Sequence, residues 1–179
     1  MGKRSTFPRR KHDAYDTPCE AVRPLVTHLP RVFGFSEPCA GNGALIRGIC
    51  ALHDGAHCVE SFDLEPRHLC IQSRDALADD WTPSEKAEFI ITNPPWTREI
   101  LHPMIEKFAA LKPTWLLFDA DWMHTRQAVP YMRLCRKIVS VGRVKWIRNS
   151  EHTGKDNAAW YLFDGTQSNI TEFVGRAAA

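Results

Sequence analysis

The chain has 179 residues, a formal net charge of +2, 44% hydrophobic residues and 25% charged residues. That length suits one domain with little room for a second, and the composition is ordinary for a globular chain that builds a real core, which argues against a membrane-spanning or highly charged sequence. No apolar run approaches the roughly 18–20 residues needed to span a bilayer, and the basic N-terminus lacks the apolar stretch of a signal peptide, so a cytoplasmic protein without membrane contact is expected.

Residues 1–12 hold Lys3, Arg4, Arg9, Arg10 and Lys11 without an acid and are expected to form a flexible basic arm; residues 13–179 are expected to form the single domain. Asp16 or Thr17 could cap a helix over 18–29, with Pro18 at its first position. A short apolar run at 32–35 leads into Glu37-Pro38-Cys39-Ala40-Gly41-Asn42-Gly43, which reads as strand, tight loop and helix 44–52. Further strands are expected at 57–62, ending at Asp63, at 70–72 and at 89–92. Helix 98–111 places Ile100, Leu101, Met104, Ile105, Phe108 and Ala109 at helical spacing. A strand at 115–118 follows. A helical stretch interrupted at Pro130 leads to strands at 138–141 and 159–163. Strands alternating with helices predict an α/β domain with a mostly parallel sheet and helices on both faces. In such sheets ligands bind outside the carboxyl ends of the strands. The informative residues 37–43, Asp63, Asp75 and 93–96 all fall there.

Charge is unevenly spread. Residues 122–148 carry Arg126, Arg133, Arg136, Lys137, Arg143, Lys145 and Arg148 with no acid. With the basic arm they suggest a polyanionic partner; the plain alternative is a solvated arm and helix face. The six cysteines lie mostly in apolar segments without paired spacing and read as buried thiols of a reducing cytosol. His53, His57 and Cys58 lack a second ligand pair, so no metal is expected.

Glycines after a strand let the backbone turn sharply and approach a ligand closely. The third glycine of a dinucleotide fingerprint is missing. Glu37 at the strand end would repel a pyrophosphate and attract a cofactor carrying an ammonium and a sulfonium. Asp63 could accept ribose hydroxyls, with Glu65 as the nearby alternative, or could serve as a helix N-cap. Asn93-Pro94-Pro95-Trp96 is the strongest signal. Two prolines fix the backbone and remove two N–H donors. That leaves the Asn93 side-chain oxygen and the Pro94 carbonyl to accept N–H groups from a flat amine, while Trp96 offers a stacking face. Asp121, Trp122 and His124 could line the same cleft, or Trp122 could pack under the helix. Asp156 and Asn157 could form a loop near the acceptor, whereas Trp146 and Trp160 read as core residues.

With those motifs in place, the chain resembles the Rossmann-like class I methyltransferases that act on amino groups. Specifically it resembles the N6-adenine DNA methyltransferases of compact, phage-like type. Tyr15-Asp16-Thr17-Pro18 resembles the family's N-terminal cofactor motif and residues 37–43 its glycine loop. Asp63 resembles its ribose-binding acid, Asp75 its adenine-contacting acid and residues 93–96 its catalytic motif. The resemblance implies S-adenosylmethionine as cofactor. Its contacts would come from Tyr15, Thr17, Pro18, Glu37, Cys39, Ala40, Gly41, Gly43, Asp63, Leu64, Asp75 and Ala76. Catalysis would rest on Asn93, Pro94, Pro95 and Trp96. It also implies DNA as partner, held by Lys3, Arg4, Arg9, Arg10, Arg126, Arg133, Arg143 and Lys145. The family motif more often ends in tyrosine or phenylalanine, and a methyltransferase domain without a large separate target-recognition domain is expected. RNA bases and protein glutamine amides are alternative acceptors for the same chemistry. A nucleic-acid-binding module without activity is the non-enzymatic alternative.

Overall fold

The computed structural model describes residues 15–147, 151, 153–166 and 168–176. Lys3, Arg4, Arg9, Arg10 and Lys11 of the expected arm, together with Arg148, lie outside the described residues. Among the described residues, eight strands form one sheet: β1 (Phe33–Glu37), β2 (Ala56–Asp63), β3 (Gln72–Ser73), β4 (Phe89–Thr92), β5 (Thr114–Asp119), β6 (Cys135–Arg143), β7 (Asn157–Phe163) and β8 (Glu172–Val174). Their order is β3-β2-β1-β4-β5-β7-β6-β8. Strands β1 to β5 pair in parallel, as expected. Strand β7 runs antiparallel to both β5 and β6. The outer strand β8, which the sequence pattern does not suggest, runs parallel to β6.

Every residue of β1 is buried, and Thr114–Phe118 of β5 are buried as well. Strands buried along their length in this way are covered on both faces. Helices α1 (Cys19–Val26) and α2 (Ala44–Leu52) pack on one side, α3 (Arg98–Leu111) on the other. Alternation along β5 divides the core accordingly. Trp115 and Leu117 join Val22, Leu25, Phe35 and Ile49. Leu116 and Phe118 join Met104, Ile105 and Phe108 of α3. Helix α3 has the expected limits and buries five of the six residues named from its spacing, Ile100 being half-buried.

Some boundaries differ for local reasons. Helix α1 stops at Val26, well before residue 29. Leu29 precedes Pro30, and a residue before proline is pushed out of helical conformation. Pro18 occupies the cap position with extended backbone, and no side chain caps the helix. The two expected capping groups are engaged elsewhere: Thr17 accepts from Asn93 and Asp16 pairs with Arg67. Between β5 and β6 the expected interrupted helix is two single turns, Ala120–His124 and Arg126–Ala128, followed by the short α4 (Val129–Met132). Pro130 sits in the first turn of α4, where its missing N–H costs no helical bond, so it begins a helix instead of breaking one.

The cysteines are all free, but only Cys135 is buried; Cys39 and Cys58 are half-buried and Cys19, Cys50 and Cys70 are exposed. The expectation of buried thiols fails for those three because they sit at a helix start, on an outward helix face and in a loop. Among the described residues, no helix is long and apolar enough to cross a membrane.

Strand β1 is the centre of the parallel half, and its close packing has a measurable consequence. A Cβ at Gly34 would lie 2.1 Å from the Lys86 carbonyl oxygen, a backbone atom held by the chain that enters β4. Gly34→Ala is therefore expected to destabilise the fold by about 1–3 kcal/mol through overpacking. A denaturant titration should show a lower midpoint at unchanged slope. An unaltered midpoint would refute the packing argument.

Candidate active site

Because β1 to β4 are parallel, their carboxyl ends deliver side chains to one edge of the sheet. There the chain closes around a cavity of about 500 Å³, lined by the ends of β1, β2 and β4 and the loops that follow them, and by Tyr15, Asp16 and Thr17. That size lies within the usual range for small-molecule sites.

The glycine loop forms one wall. Gly41 and Gly43 have φ of 55° and 78°, the left-handed region that favours glycine. The Gly41 N–H donates to Asp63 Oδ2 at 2.8 Å, and the Glu65 N–H donates to Asp63 Oδ1 at 2.8 Å. Asp63 thus ties the loop after β1 to the loop after β2, and no helix follows it to be capped. Each carboxylate oxygen keeps a further lone pair for a ligand hydroxyl. Asp75 accepts from the Leu77 N–H in the same manner and is exposed, whereas Ala76 beside it is buried. Leu64 is 58% exposed at the cavity wall, an apolar surface that a planar ring could cover.

Glu37 lies at the floor. It is 1% exposed, and its Oε2 has no hydrogen-bond partner. Burial, and secondarily the neighbouring Asp63, holds its carboxyl well above the ordinary carboxylate range. Burial likewise raises the Cys39 thiol far from reactivity. Among the described residues the lining carries the acidic Asp16, Asp63, Glu65 and Asp75, with Glu37 available to ionise beside a cation, against the guanidinium of Arg67. Such a wall suits a cationic ligand and disfavours a pyrophosphate.

Asn93 stands at the end of β4, half-buried, with Pro94 buried behind it. Its Nδ2 donates to the Thr17 hydroxyl at 3.1 Å and to the Tyr15 carbonyl at 3.4 Å. Its Oδ1 accepts from the Trp96 indole N–H at 3.3 Å. Trp96 does not line the cavity. Its ring packs edge-on against Trp146, with centroids 5.7 Å apart.

No protein-family model and no curated protein matches the sequence. Solved structures do match in shape. A candidate RNA methyltransferase from Pyrococcus horikoshii superposes with a TM-score of 0.60 at 13% identity, over 90% of this chain and 92% of that one. A dimethyladenosine transferase from Plasmodium falciparum gives 0.54 at 14% identity, over 83% and 62%. The methyltransferase subunit of a type I restriction-modification system from Streptococcus thermophilus gives 0.57 at 9% identity, over 90% and 47%. The chain thus spans less than two thirds of the length of the last two. The fold is that of the class I methyltransferases.

Within this methyltransferase fold, Tyr15, Thr17, Glu37, Cys39, Ala40, Gly41, Asp63, Leu64, Asp75, Ala76, Asn93 and Pro95 line one cavity. Four other sequence candidates do not. Pro18 begins α1, Gly43 begins α2, Pro94 is buried, and Trp96 stands behind Asn93. Trp122 is 2% exposed and donates to His102 Nε2 at 3.1 Å, so it packs under the helix and not in the cleft. Trp160 is core and donates to the Ala21 carbonyl. Trp146, read from sequence as core, is half-buried at the edge that carries Asn93, against Trp96 and 6.4 Å from the Tyr15 ring.

The topology also divides the basic run. Strand β6 is antiparallel to β7, which is antiparallel to β5, so β6 points the same way as β5. Arg143 and Lys145 follow its carboxyl end and Arg126 follows β5, all toward the edge that carries Asn93. Arg133 precedes β6 and lies at the opposite edge, where Arg136 donates to the Thr166 carbonyl and Lys137 pairs with Glu172. The basic group at the edge that carries Asn93 gains Lys155 before β7 and Arg176 after β8. Neither belongs to the run seen in sequence, since only strand pairing brings three separated segments together. Arg67 was missed for the same reason. Its ion pair with Asp16 at 2.6 Å joins segments far apart in sequence. Ile100 and Met104 line the cavity although their helical spacing signals only a core face.

Proposed function

We propose that the protein transfers a methyl group from S-adenosylmethionine to an exocyclic amino nitrogen, N6 of adenine in DNA. The observation that carries this reading is the Asn93 carboxamide at the rim of a cavity whose floor is the buried Glu37 carboxyl, with Oε2 unpartnered. Glu37 would hold the cationic amino-acid end of the cofactor, Asp63 its ribose, and Leu64, Asp75 and Ala76 its adenine. When bound, the cofactor supplies a methyl group already activated by its positive sulfur. The chain's own part is alignment, which can contribute roughly 7–11 kcal/mol without a strong base. Asn93 accepts one N–H of the acceptor through its side-chain oxygen. The Pro94 carbonyl is the second acceptor. Together they aim the nitrogen lone pair and spread the positive charge that grows on nitrogen.

Three features favour nucleic acid as the acceptor. Arg126, Arg143, Lys145, Lys155 and Arg176 share the edge that carries Asn93. Tyr15, Trp96 and Trp146 place aromatic rings around it. The resemblance of residues 15–18 and 93–96 to DNA adenine enzymes selects DNA among nucleic acids. In a duplex the adenine would have to be flipped out at a cost of a few kcal/mol.

Transfer of radiolabelled methyl from S-adenosylmethionine to unmethylated DNA, total RNA and a protein extract in parallel tests the proposal. Label in DNA recovered as N6-methyladenine is the expected result. Label confined to RNA or to protein would move the acceptor and leave the Asn93 chemistry standing. No label in any of the three pools would overturn the catalytic reading.

A further inference from the structure

Asn93 is held on three sides, and the chemistry of the partners decides which way its carboxamide faces. The Tyr15 carbonyl can only accept, and the Trp96 indole nitrogen can only donate. The first lies 3.4 Å from Asn93 Nδ2 and the second 3.3 Å from Oδ1. Turning the amide over would set oxygen against oxygen at Tyr15 and N–H against N–H at Trp96. The Thr17 hydroxyl takes the remaining Nδ2 hydrogen at 3.1 Å. Both amide hydrogens are then spent inside the protein. The oxygen, with one lone pair on the indole, has one left to accept a single further N–H.

The indole is itself anchored. The same N–H is shared with the Leu117 carbonyl of β5 at 3.2 Å. The ring lies edge-on to Trp146 at an interplanar angle of 85°. A phenylalanine at position 96 would carry no donor. A tyrosine would carry its hydroxyl at the far end of the ring, away from a side chain three residues back. The tryptophan that distinguishes this motif from its commoner forms is the aromatic residue whose donor sits on the ring edge that faces Asn93.

We propose that Trp96 is a positioning residue: its indole N–H, with the Thr17 hydroxyl, locks the Asn93 carboxamide with its oxygen toward the acceptor nitrogen. The inference rests on the methyl-transfer reading above. Locking removes the choice between two amide orientations, one of which would present N–H groups to an acceptor that itself donates N–H. A site held in the productive orientation before the acceptor arrives does not have to reorganise during transfer.

The test replaces Trp96 by 3-benzothienylalanine, which keeps the bicyclic shape and exchanges the N–H for sulfur, with Trp96→Phe alongside. Three quantities are read: kcat, the KM for S-adenosylmethionine, and the nitrogen and proton resonances of the Asn93 side-chain amide, assigned by their loss in Asn93→Asp. The expected result is a fall of about tenfold or more in kcat with KM unchanged, and displaced or exchange-broadened Asn93 amide signals. An unchanged kcat overturns the proposal and leaves the methyl-transfer reading intact. A reduced kcat with Asn93 signals unmoved also overturns it, because the loss would then come from packing. If the wild-type protein methylates no DNA, RNA or protein, the underlying reading fails. The resonances still decide the lock: signals unmoved by loss of the indole N–H overturn it, and displaced signals support it.

Discussion

Asn93→Ala is expected to lower kcat for methyl transfer by about 10²–10³-fold, the usual cost of removing one preorganised group from a site of developing charge. The variant also gives up the bonds from Asn93 to Thr17 and Tyr15, two residues that line the cavity. Neither bond touches the cofactor, so only part of the roughly 0.5–1.5 kcal/mol that each contributes should reach cofactor affinity, a fall of about tenfold or less. The signature is thus a loss concentrated in kcat. Single-turnover transfer with titrated cofactor separates the two effects. Equal losses in kcat and affinity would mean that Asn93 shapes the cavity and does no work on the acceptor.

Glu37→Gln should separate binding from stability in opposite directions. The carboxyl is buried, lacks a partner for Oε2 and has a raised pKa. Between the ordinary carboxylate range and that raised value, the unfolded chain is ionised while the folded chain retains its proton. Stability is then fully present below the ordinary range and declines as pH rises through the window. Glutamine removes this decline, so the ligand-free variant should unfold at a higher temperature than wild type at pH 8 and show a flatter pH dependence. A cationic ligand reverses the preference of Glu37 by stabilising its ionised form. Cofactor binding should therefore release a proton and tighten as pH rises through the same window. Loss of a buried charge partner typically costs about 2 kcal/mol or more, so the variant should bind S-adenosylmethionine roughly 30-fold more weakly. Calorimetry in buffers of different ionisation enthalpy reads the proton directly. Proton release that persists in the glutamine variant would assign it to another group.

Much of the site is local in character, which is why it is legible along the chain. Residues 37–43 and 93–96 each act as a segment: glycine conformations, proline constraints and a strand end need only near neighbours to take shape. The face of α3 follows from helical spacing in the same way. Strands that alternate with helices along the chain announce a mostly parallel sheet.

Other features depend on chain segments that meet only after folding. Periodicity does not report strand direction, so the antiparallel insertion of β7 between β5 and β6 and the added β8 had no sequence signature. Strand β6 itself separates Arg133 from Arg143, and the pairing of β7 and β8 with it brings Lys155 and Arg176 to the edge that carries Asn93. Trp146 has the composition of a core residue, and it became part of the site when the segment after β6 reached Tyr15 and Trp96. The sequence by itself determined which residues have the chemistry for a cationic cofactor and an amine acceptor, because residue type and short-range geometry suffice for that. Tertiary structure alone decided the facing of the Asn93 amide, the exclusion of Trp96 from the cavity wall and the isolation of the Glu37 carboxylate. Each depends on which donors and acceptors distant segments place within about 3 Å, and on how much water they remove.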